Sequence, residues 1–167
     1  MPVANKVRIF VWRVCGNNVA TNHNLWRRRL RENALCQICE KDEETIEHIL
    51  LQCEWTLQVW YGMEVGYKVE RQKITSIDRW FKEVMAMTRK KGQERKYMRI
   101  VVAMTWWQIW KEGCRKVFQK KNPDPWRSIR KIQKDVAQLM ALEGDEKRDS
   151  GQNERKDEEN GKNLRGG

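Results

Sequence analysis

The sequence predicts an all-α protein, and three observations support this prediction. Apolar residues recur every three or four positions along most of the 167 residues, which is the period of a helix. Nine tryptophans and an apolar content of 40% can fill a core, although a mean hydropathy of -0.88 keeps that core modest. Residues 143–167 contain one large apolar residue, Leu164, so they are predicted to form a disordered charged tail.

The first two predicted helices are short. An apolar stripe at spacings i, i+3, i+4 and i+7 marks the first helix, formed by Val7, Phe10, Val11 and Val14. Gly16-Asn-Asn ends this helix, because glycine and asparagine favour helix C-termini. Thr21 is the predicted N-cap of the second helix, which we expect to run through Leu25, Trp26 and Leu30.

The middle of the chain contains two more predicted helices. The third begins near Glu43 or Glu44, where carboxylates suit the positive end of the helix dipole. Its predicted buried face consists of Ile46, Ile49 and Leu50, with Trp60 as a further candidate. A connector over 65–74 leads to the fourth helix, capped by Thr75 or Ser76. The apolar stripe of the fourth helix is Ile77, Trp80, Phe81, Val84 and Met87.

Two longer helices follow. The first runs from Glu94 to about Gln119, and its wide apolar surface predicts that it is the central helix. Asn122-Pro-Asp-Pro ends it, and Asp124 and Pro125 are the predicted cap and first residue of the last helix. The last helix extends to Leu142 and buries residues at 3-4-3 spacing, which are Ile129, Ile132, Val136 and Leu139.

Cys36, Cys39, His48 and Cys53 form the pattern C-x2-C-x8-H-x4-C. Zinc prefers four nitrogen or sulfur ligands in a tetrahedron, and a C-x2-C pair places two thiolates on one tight turn. The pattern holds four of the chain's seven cysteines and histidines, which favours one zinc ion over the main alternative of buried free cysteines. A redox C-x-x-C disulfide is a weaker alternative, because no βαβ pattern surrounds the pair.

The zinc ion is predicted to be structural. Four protein ligands leave no open position for water, and metal binding then contributes to the free energy of folding. However, Cys53 is rotated by about 140° from His48 on an ideal helix. We therefore expect the helix to end or unwind at Gln52-Cys53, with Trp55 packed behind it.

The remaining cysteines and histidine are expected to have no metal-binding role. Cys15 and Cys114 are isolated in the sequence, so we expect each to pack as a small hydrophobic side chain. His23 has polar neighbours and is expected to be exposed or to lie near a helix cap.

Four stretches together resemble a known family. They are Lys6-Val-Arg-Ile-Phe-Val-Trp-Arg13, Asn24-Leu-Trp-Arg-Arg-Arg29, Leu35-Cys-Gln-Ile-Cys39 and Glu44-Thr-Ile-Glu-His-Ile-Leu-Leu-Gln-Cys-Glu-Trp55. Their order over residues 5–61 is similar to the reverse-transcriptase zinc-binding domain of plant non-LTR retrotransposon polyproteins. The resemblance implies that Cys36, Cys39, His48 and Cys53 are the zinc ligands. It also implies a position between a reverse transcriptase and a ribonuclease H-like domain, and Trp106-Trp-Gln-Ile-Trp-Lys111 resembles the helix that often follows the module.

These observations divide the chain into three predicted regions. Residues 1–62 form a zinc-knuckle helical module, residues 63–142 form a helical bundle around the long central helix, and residues 143–167 form the tail. The sequence has neither the paired aspartates of a polymerase nor strands with spaced carboxylates for a two-metal nuclease. We therefore expect a non-catalytic accessory module, a retroelement remnant with no catalytic residues.

The charge of the chain predicts a polyanionic partner. The net charge is +11, divided between +13 in residues 1–142 and -2 in residues 143–167. A basic protein attracts nucleic acid first, and arginine and lysine bind phosphates without reading sequence. The candidate nucleic-acid-binding residues are Trp26, Arg27, Arg28, Arg29, Arg31, Lys90, Lys91, Arg95 and Lys96. Trp26 could stack on an unpaired base, although its alternative is a core position.

The expected partner is RNA or DNA, bound with little sequence preference. The alternative is a protein-interaction module or homodimer using the apolar surface of 94–119, or a structural remnant with no retained activity. The sequence shows no signal peptide and no apolar run long enough to span a bilayer. We therefore expect an intracellular protein without membrane contact, and the basic clusters are compatible with the nucleus.

Overall fold

The structure is a computed structural model, and it describes residues 3–63, 74–87 and 92–142. Within these ranges the chain forms seven helices and no strand, which confirms the all-α prediction. They are α1 (Asn5–Cys15), α2 (Asn22–Arg27), a π-helix (His48–Gln52), α3 (Glu54–Tyr61), α4 (Ile77–Met87), α5 (Gln93–Gln119) and α6 (125–142). The predicted tail, Lys90, Lys91 and most of the predicted connector lie outside the described residues.

Helix α1 has the predicted stripe, and Val7, Phe10 and Val14 are buried. Helix α2 begins as predicted, because the Thr21 hydroxyl accepts a hydrogen bond from the Asn24 N–H at 3.3 Å. Helix α1 therefore packs through the predicted residues, and helix α2 begins at the predicted cap.

The predicted extension of α2 to Leu30 is wrong. Arg29 adopts a left-handed conformation with φ of 59°, and its N–H donates to the Trp26 carbonyl at 2.8 Å. The Leu30 N–H reaches back to the Leu25 carbonyl at 2.9 Å. These two bonds form a Schellman motif, which ends the helix and satisfies its last carbonyls. Leu30 is consequently 68% exposed.

The third predicted helix begins later than expected and is divided in two. Glu43 pairs with Leu35 in a single antiparallel bridge, and helical backbone begins only at Ile46. The Thr45 hydroxyl accepts a hydrogen bond from the His48 N–H at 3.1 Å, so threonine caps this segment. The predicted buried residues Ile46, Ile49 and Leu50 are buried.

Trp60 is buried as well, but it lies on α3, beyond the break at Cys53. Its indole N–H donates to the Leu50 carbonyl at 2.9 Å, and the Thr56 hydroxyl donates to the Ile49 carbonyl at 2.7 Å. Side chains of α3 thereby satisfy carbonyls of the π-helix and hold the two helices together.

Helix α5 is the central helix, as predicted. It contacts α1, the π-helix and α4, and a continuous run from Ile100 to Trp106 is buried. Trp80 of α4 packs against Trp60 and Trp106 with ring centroids 5.6 and 5.7 Å apart. The buried side chains of all these helices form one connected core. The predicted domain boundary at residue 62 stays a prediction.

The N-termini of α4 and α6 are capped as predicted. The Ser76 hydroxyl accepts a hydrogen bond from the Arg79 N–H at 3.3 Å, at the start of α4. The Asp124 carboxylate accepts two, from the Trp126 and Arg127 N–H groups at 2.9 and 3.2 Å. Pro125 is the first helical residue of α6.

Among the described residues, no helix has both the length and the apolarity needed to cross a membrane.

Candidate metal centre

A tight turn holds the first two cysteines. The Glu40 N–H donates to the Cys36 carbonyl, and the Cys36 N–H donates to the Asp42 carbonyl, both at 2.9 Å. Glu40 has a left-handed conformation with φ of 56°, which reverses the chain just after Cys39. The Leu35–Glu43 bridge closes the base of this turn. The C-x2-C pair therefore lies on a knuckle whose two ends are fastened together.

The π-helix brings the other two candidate ligands onto one face. The Cys53 N–H donates to the His48 carbonyl at 2.7 Å, which is an i→i+5 hydrogen bond. The wider turn reduces the rotation between residues five apart, so the misalignment expected for an α-helix does not arise. Cys53 itself is extended, with φ of -58° and ψ of 136°. The expected end at Gln52-Cys53 is confirmed, and Trp55 is buried.

All four predicted ligands converge. The sulfur atoms of Cys36, Cys39 and Cys53 and a ring nitrogen of His48 lie within 4.8 Å of one another. Cys39 Sγ and His48 Nε2 are 3.3 Å apart. A tetrahedral zinc with Zn–S bonds of about 2.3 Å places its ligand atoms about 3.8 Å apart. The donor set and its size therefore fit one zinc ion.

The site is shielded from water. Cys36 and Cys53 are fully buried, His48 is 5% exposed, and Cys39 is half-buried at the surface of the knuckle. Three thiolates and an imidazole complete a tetrahedron without a water ligand. A zinc ion bound by these four residues would hold the knuckle against the π-helix.

The two buried thiols already share one proton unequally. A hydrogen bond from Cys36, supported by a second from His48, lowers the pKa of Cys53 to about 4 despite its burial. The same hydrogen bond to Cys53, followed by burial, raises the pKa of Cys36 above its usual range. These opposite shifts favour the thiolate at Cys53, and metal binding would release the proton that Cys36 retains.

Asp42 lies behind the histidine ligand. Its Oδ2 is 3.8 Å from His48 Nδ1. The other ring nitrogen, Nε2, faces Cys39. At 3.8 Å the exposed Asp42 carboxylate makes no direct hydrogen bond to the ring, so it acts on the imidazole through its charge. The sequence pattern did not identify Asp42, although an aspartate within the loop between the ligand pairs is a usable signal.

Glu44 has a different role from the one that the sequence predicts. Instead of opening a helix, its buried carboxylate accepts hydrogen bonds from the Asn22 N–H at 3.0 Å and the Gln37 N–H at 3.1 Å. Burial raises its pKa, while the two N–H groups and nearby His48 and Arg31 oppose this shift. Asn22 also donates through its side chain to the Leu35 carbonyl at 2.7 Å. Glu44 therefore links the start of α2 to the zinc knuckle.

The other cysteines and the second histidine lie apart from this group. Cys15 packs against the core and Cys114 is half-buried, and burial raises the pKa of each thiol. His23 is in the first turn of α2, with Nδ1 3.0 Å from Glu43 Oε2. Within the described ranges, none of these three belongs to the converging ligand set.

The predicted nucleic-acid residues differ in their accessibility. Trp26 and Arg27, Arg28, Arg29 and Arg31 are all exposed, and Trp26 is 45% exposed rather than a core residue. Arg27 and Arg28 line a polar cleft of about 230 Å³ with Asn17 and Asn24. Arg95 and Lys96 are half-buried, and Lys90 and Lys91 lie outside the described residues. We therefore treat the segment 26–31 as the basic segment of the module.

Comparison with known proteins agrees with this geometry. Residues 1–60 match the family described as zinc-binding in reverse transcriptase. Over 116 residues the chain is 25% identical to a protein of Arabidopsis thaliana named as a ribonuclease H protein. This match covers 70% of the chain and 18% of the relative, and no solved structure matches. Residues 1–60 are thus similar to the family described as zinc-binding in reverse transcriptase, and their three cysteines and one histidine suit one zinc ion.

Proposed function

We propose that this chain is a non-catalytic, zinc-stabilised accessory module that binds RNA or DNA through its basic segment, residues 26–31. The observation that carries the proposal is the exposure of four arginines and a tryptophan in one segment fastened to the zinc knuckle. Guanidinium groups bind phosphates, and an exposed indole can stack on an unpaired base. The retroelement relationship of the domain supports a nucleic-acid partner.

Hydrogen bonds connect the basic segment to the metal site, so the proposal predicts that nucleic-acid binding depends on zinc. Helix α2 is fastened to the knuckle through Asn22 and Glu44, and the Schellman turn at Arg29 shapes the segment that follows. Loss of zinc would release the knuckle and therefore the position of the arginines. Nucleic-acid affinity should depend on zinc, whereas attraction to a basic surface alone would not.

The non-catalytic part of the proposal rests on the coordination sphere. Cys36, Cys39, His48 and Cys53 would fill all four positions of a tetrahedral zinc, so the metal supplies stability and no activated water. The ribonuclease H name belongs to a relative of which the match covers 18%. The matching family is a zinc-binding domain, and this supports an accessory role.

Fluorescence anisotropy with labelled single-stranded RNA and DNA tests the proposal. The variant Arg27→Gln/Arg28→Gln/Arg31→Gln should weaken binding at least about tenfold and reduce the slope of log K against log salt by about 2. The control Lys120→Gln/Lys121→Gln/Lys134→Gln removes equal charge from exposed positions elsewhere and should retain most of the affinity. The proposal is wrong if the zinc-loaded wild type shows no salt-dependent binding at low micromolar protein.

A second candidate function is self-association. An apolar cleft of about 160 Å³ lies between α2 and α5, lined in part by Leu25, Trp110 and Val117. Phe118 at its edge is largely exposed, as an interface residue of a second copy would be in the monomer. Light scattering after size-exclusion chromatography distinguishes the two: a salt-insensitive dimer without nucleic-acid affinity supports this candidate.

A further inference from the structure

A second basic feature is a cleft of about 360 Å³ between α1, α5 and α6. Its charged lining consists of Lys6 from α1, Lys111 from α5, and Lys131 and Asp135 from α6. Trp107 of α5 also lines the cleft. None of these residues belongs to the basic clusters that the sequence predicts to bind nucleic acid.

Two lysines gather around one tryptophan in this cleft. Lys6 Nζ is 5.9 Å and Lys111 Nζ is 6.0 Å from the centroid of the Trp107 ring. Both distances are within the range of cation–π attraction, which draws each ammonium group toward the indole. The ring therefore holds two like charges near each other, on helices that are distant in sequence.

The charge in the cleft is only partly neutralised. Lys131 Nζ pairs with Asp135 Oδ1 at 2.6 Å, so this pair contributes little net charge. Lys6 and Lys111 have no carboxylate within ion-pairing distance among residues 3–63, 74–87 and 92–142. The pKa of Lys111 is lowered, first by burial and then by Lys131, while Asp135 and Glu112 oppose this shift and Lys6 adds to it. The cleft thus has an excess of two positive charges that an anion would offset.

A phosphate group fits this arrangement best. Ammonium groups bind phosphate as point charges, and a phosphate offers several oxygens that two lysines can contact together. The cleft also includes Ala4 at the N-cap of α1, whose side chain offers no hydrogen-bond acceptor to the first turn. Leu139 and Leu142 line the cleft as well, and they could contact the apolar face of a sugar.

We infer that this cleft binds a phosphate group of a polynucleotide backbone, with Lys6 and Lys111 as its principal contacts and Trp107 as the support that positions them. The inference rests on the nucleic-acid binding proposed above and extends it to a second contact surface.

The test compares two double variants in the anisotropy assay with single-stranded RNA and DNA. Lys6→Gln/Lys111→Gln should weaken binding about tenfold and reduce the salt slope by more than 1. Lys120→Gln/Lys121→Gln removes the same charge just beyond α5 and should weaken binding less than about threefold. Zinc content and helicity, measured on each variant, must equal those of the wild type for the comparison to count.

A gain-of-binding variant keeps the inference testable if the lysine variant loses its fold. Asp135→Asn removes the carboxylate that pairs with Lys131, so binding should become tighter, which misfolding cannot produce. The inference is overturned if wild type and Lys6→Gln/Lys111→Gln bind equally, or if both double variants lose the same affinity. In those cases the proposed function stands, whereas a wild type that binds no strand overturns both.

A competition experiment identifies the source of the phosphate. A mononucleotide added in excess should not displace the strand, because it provides a single phosphate without the contacts of the basic segment. Displacement from the wild type but not from Lys6→Gln/Lys111→Gln would assign the cleft to free nucleotides and overturn the polynucleotide inference.

Discussion

The backbone N–H of Cys53 donates to the carbonyl oxygen of His48 at 2.7 Å, across five residues. This bond creates the π-turn that aligns a histidine and a cysteine which an α-helix would point in different directions. Thr56 and Trp60 of α3 satisfy the Ile49 and Leu50 carbonyls, which the widened turn leaves available. The metal site is therefore built on the junction between two helices rather than on one of them.

The first prediction concerns the spacing of this junction. Inserting one alanine between Gln52 and Cys53 should lower zinc affinity at least about tenfold, because the thiolate then leaves the face that carries His48. Deleting Gln52 is the matched control, since residues four apart share one face of an α-helix and can still meet the metal. Competition with a chromophoric chelator measures both affinities. Unchanged affinity in the insertion variant would show that the π-turn does not determine the site.

The second prediction concerns the carboxylate behind His48. Asp42→Asn should weaken zinc binding by about twofold to fivefold, because the imidazole loses a solvent-screened negative charge 3.8 Å from Nδ1. Far-UV circular dichroism at saturating zinc should be unchanged. Glu40→Gln, at an exposed acidic residue of the same loop, is the control and should retain wild-type affinity. An equal loss of zinc affinity in the two variants would show that the effect comes from the net charge of the loop and not from the position of Asp42.

The third prediction concerns the buried carboxylate of Glu44. Glu44→Gln should destabilise the zinc-bound protein by about 1–2 kcal/mol, because an amide accepts poorly from both the Asn22 and Gln37 N–H groups. Urea unfolding with saturating zinc measures the difference in free energy between wild type and variant.

The pH dependence of that difference has a definite sign. The pKa of Glu44 is raised in the folded protein, so its contribution to stability is fully present below the ordinary value of about 4.3. The contribution is lost as pH rises through the raised pKa. The difference between wild type and Glu44→Gln should therefore shrink as pH rises from about 4.3 through the raised pKa. A difference that grows with pH would contradict the burial effect.

The fourth prediction compares two glycines. A Cβ added at Gly62 would overlap Ile129 Cδ1 and lie 3.1 Å from its Cγ1, where α3 meets α6. Gly62→Ala should therefore destabilise the protein by about 1–3 kcal/mol. Gly113→Ala has no atom within 4 Å of the new Cβ and should stabilise α5 by up to about 1 kcal/mol. Thermal unfolding measures the stability of both variants. Adding Ile129→Val, which removes the overlapping Cδ1, should partly restore the stability of the Gly62→Ala variant.

Helix positions were largely predictable because burial follows a period that the sequence displays. The stripes of α1, α4, α5 and α6, and the caps Thr21, Ser76 and Asp124, can each be identified from neighbouring residues. The end of α2 could not be identified in this way, because its left-handed position is occupied by Arg29 rather than by the usual glycine.

The metal ligands were predictable from spacing, but their alignment was not. The i→i+5 bond at His48 depends on α3 side chains that satisfy the carbonyls, and those contacts exist only in the folded chain. The role of Glu44 is similar, since its partner Asn22 lies 22 residues away. The cleft around Trp107 is formed by residues of three helices, so no local pattern could have indicated it.

The most direct test of the account is the metal content of the purified protein, measured by native mass spectrometry with far-UV circular dichroism. We predict one zinc ion per wild-type chain, lost together with helicity in Cys36→Ser and retained in Cys15→Ser, which changes a thiol outside the site. A wild-type protein that is fully folded without metal would contradict the central claim that zinc holds the knuckle to the π-helix.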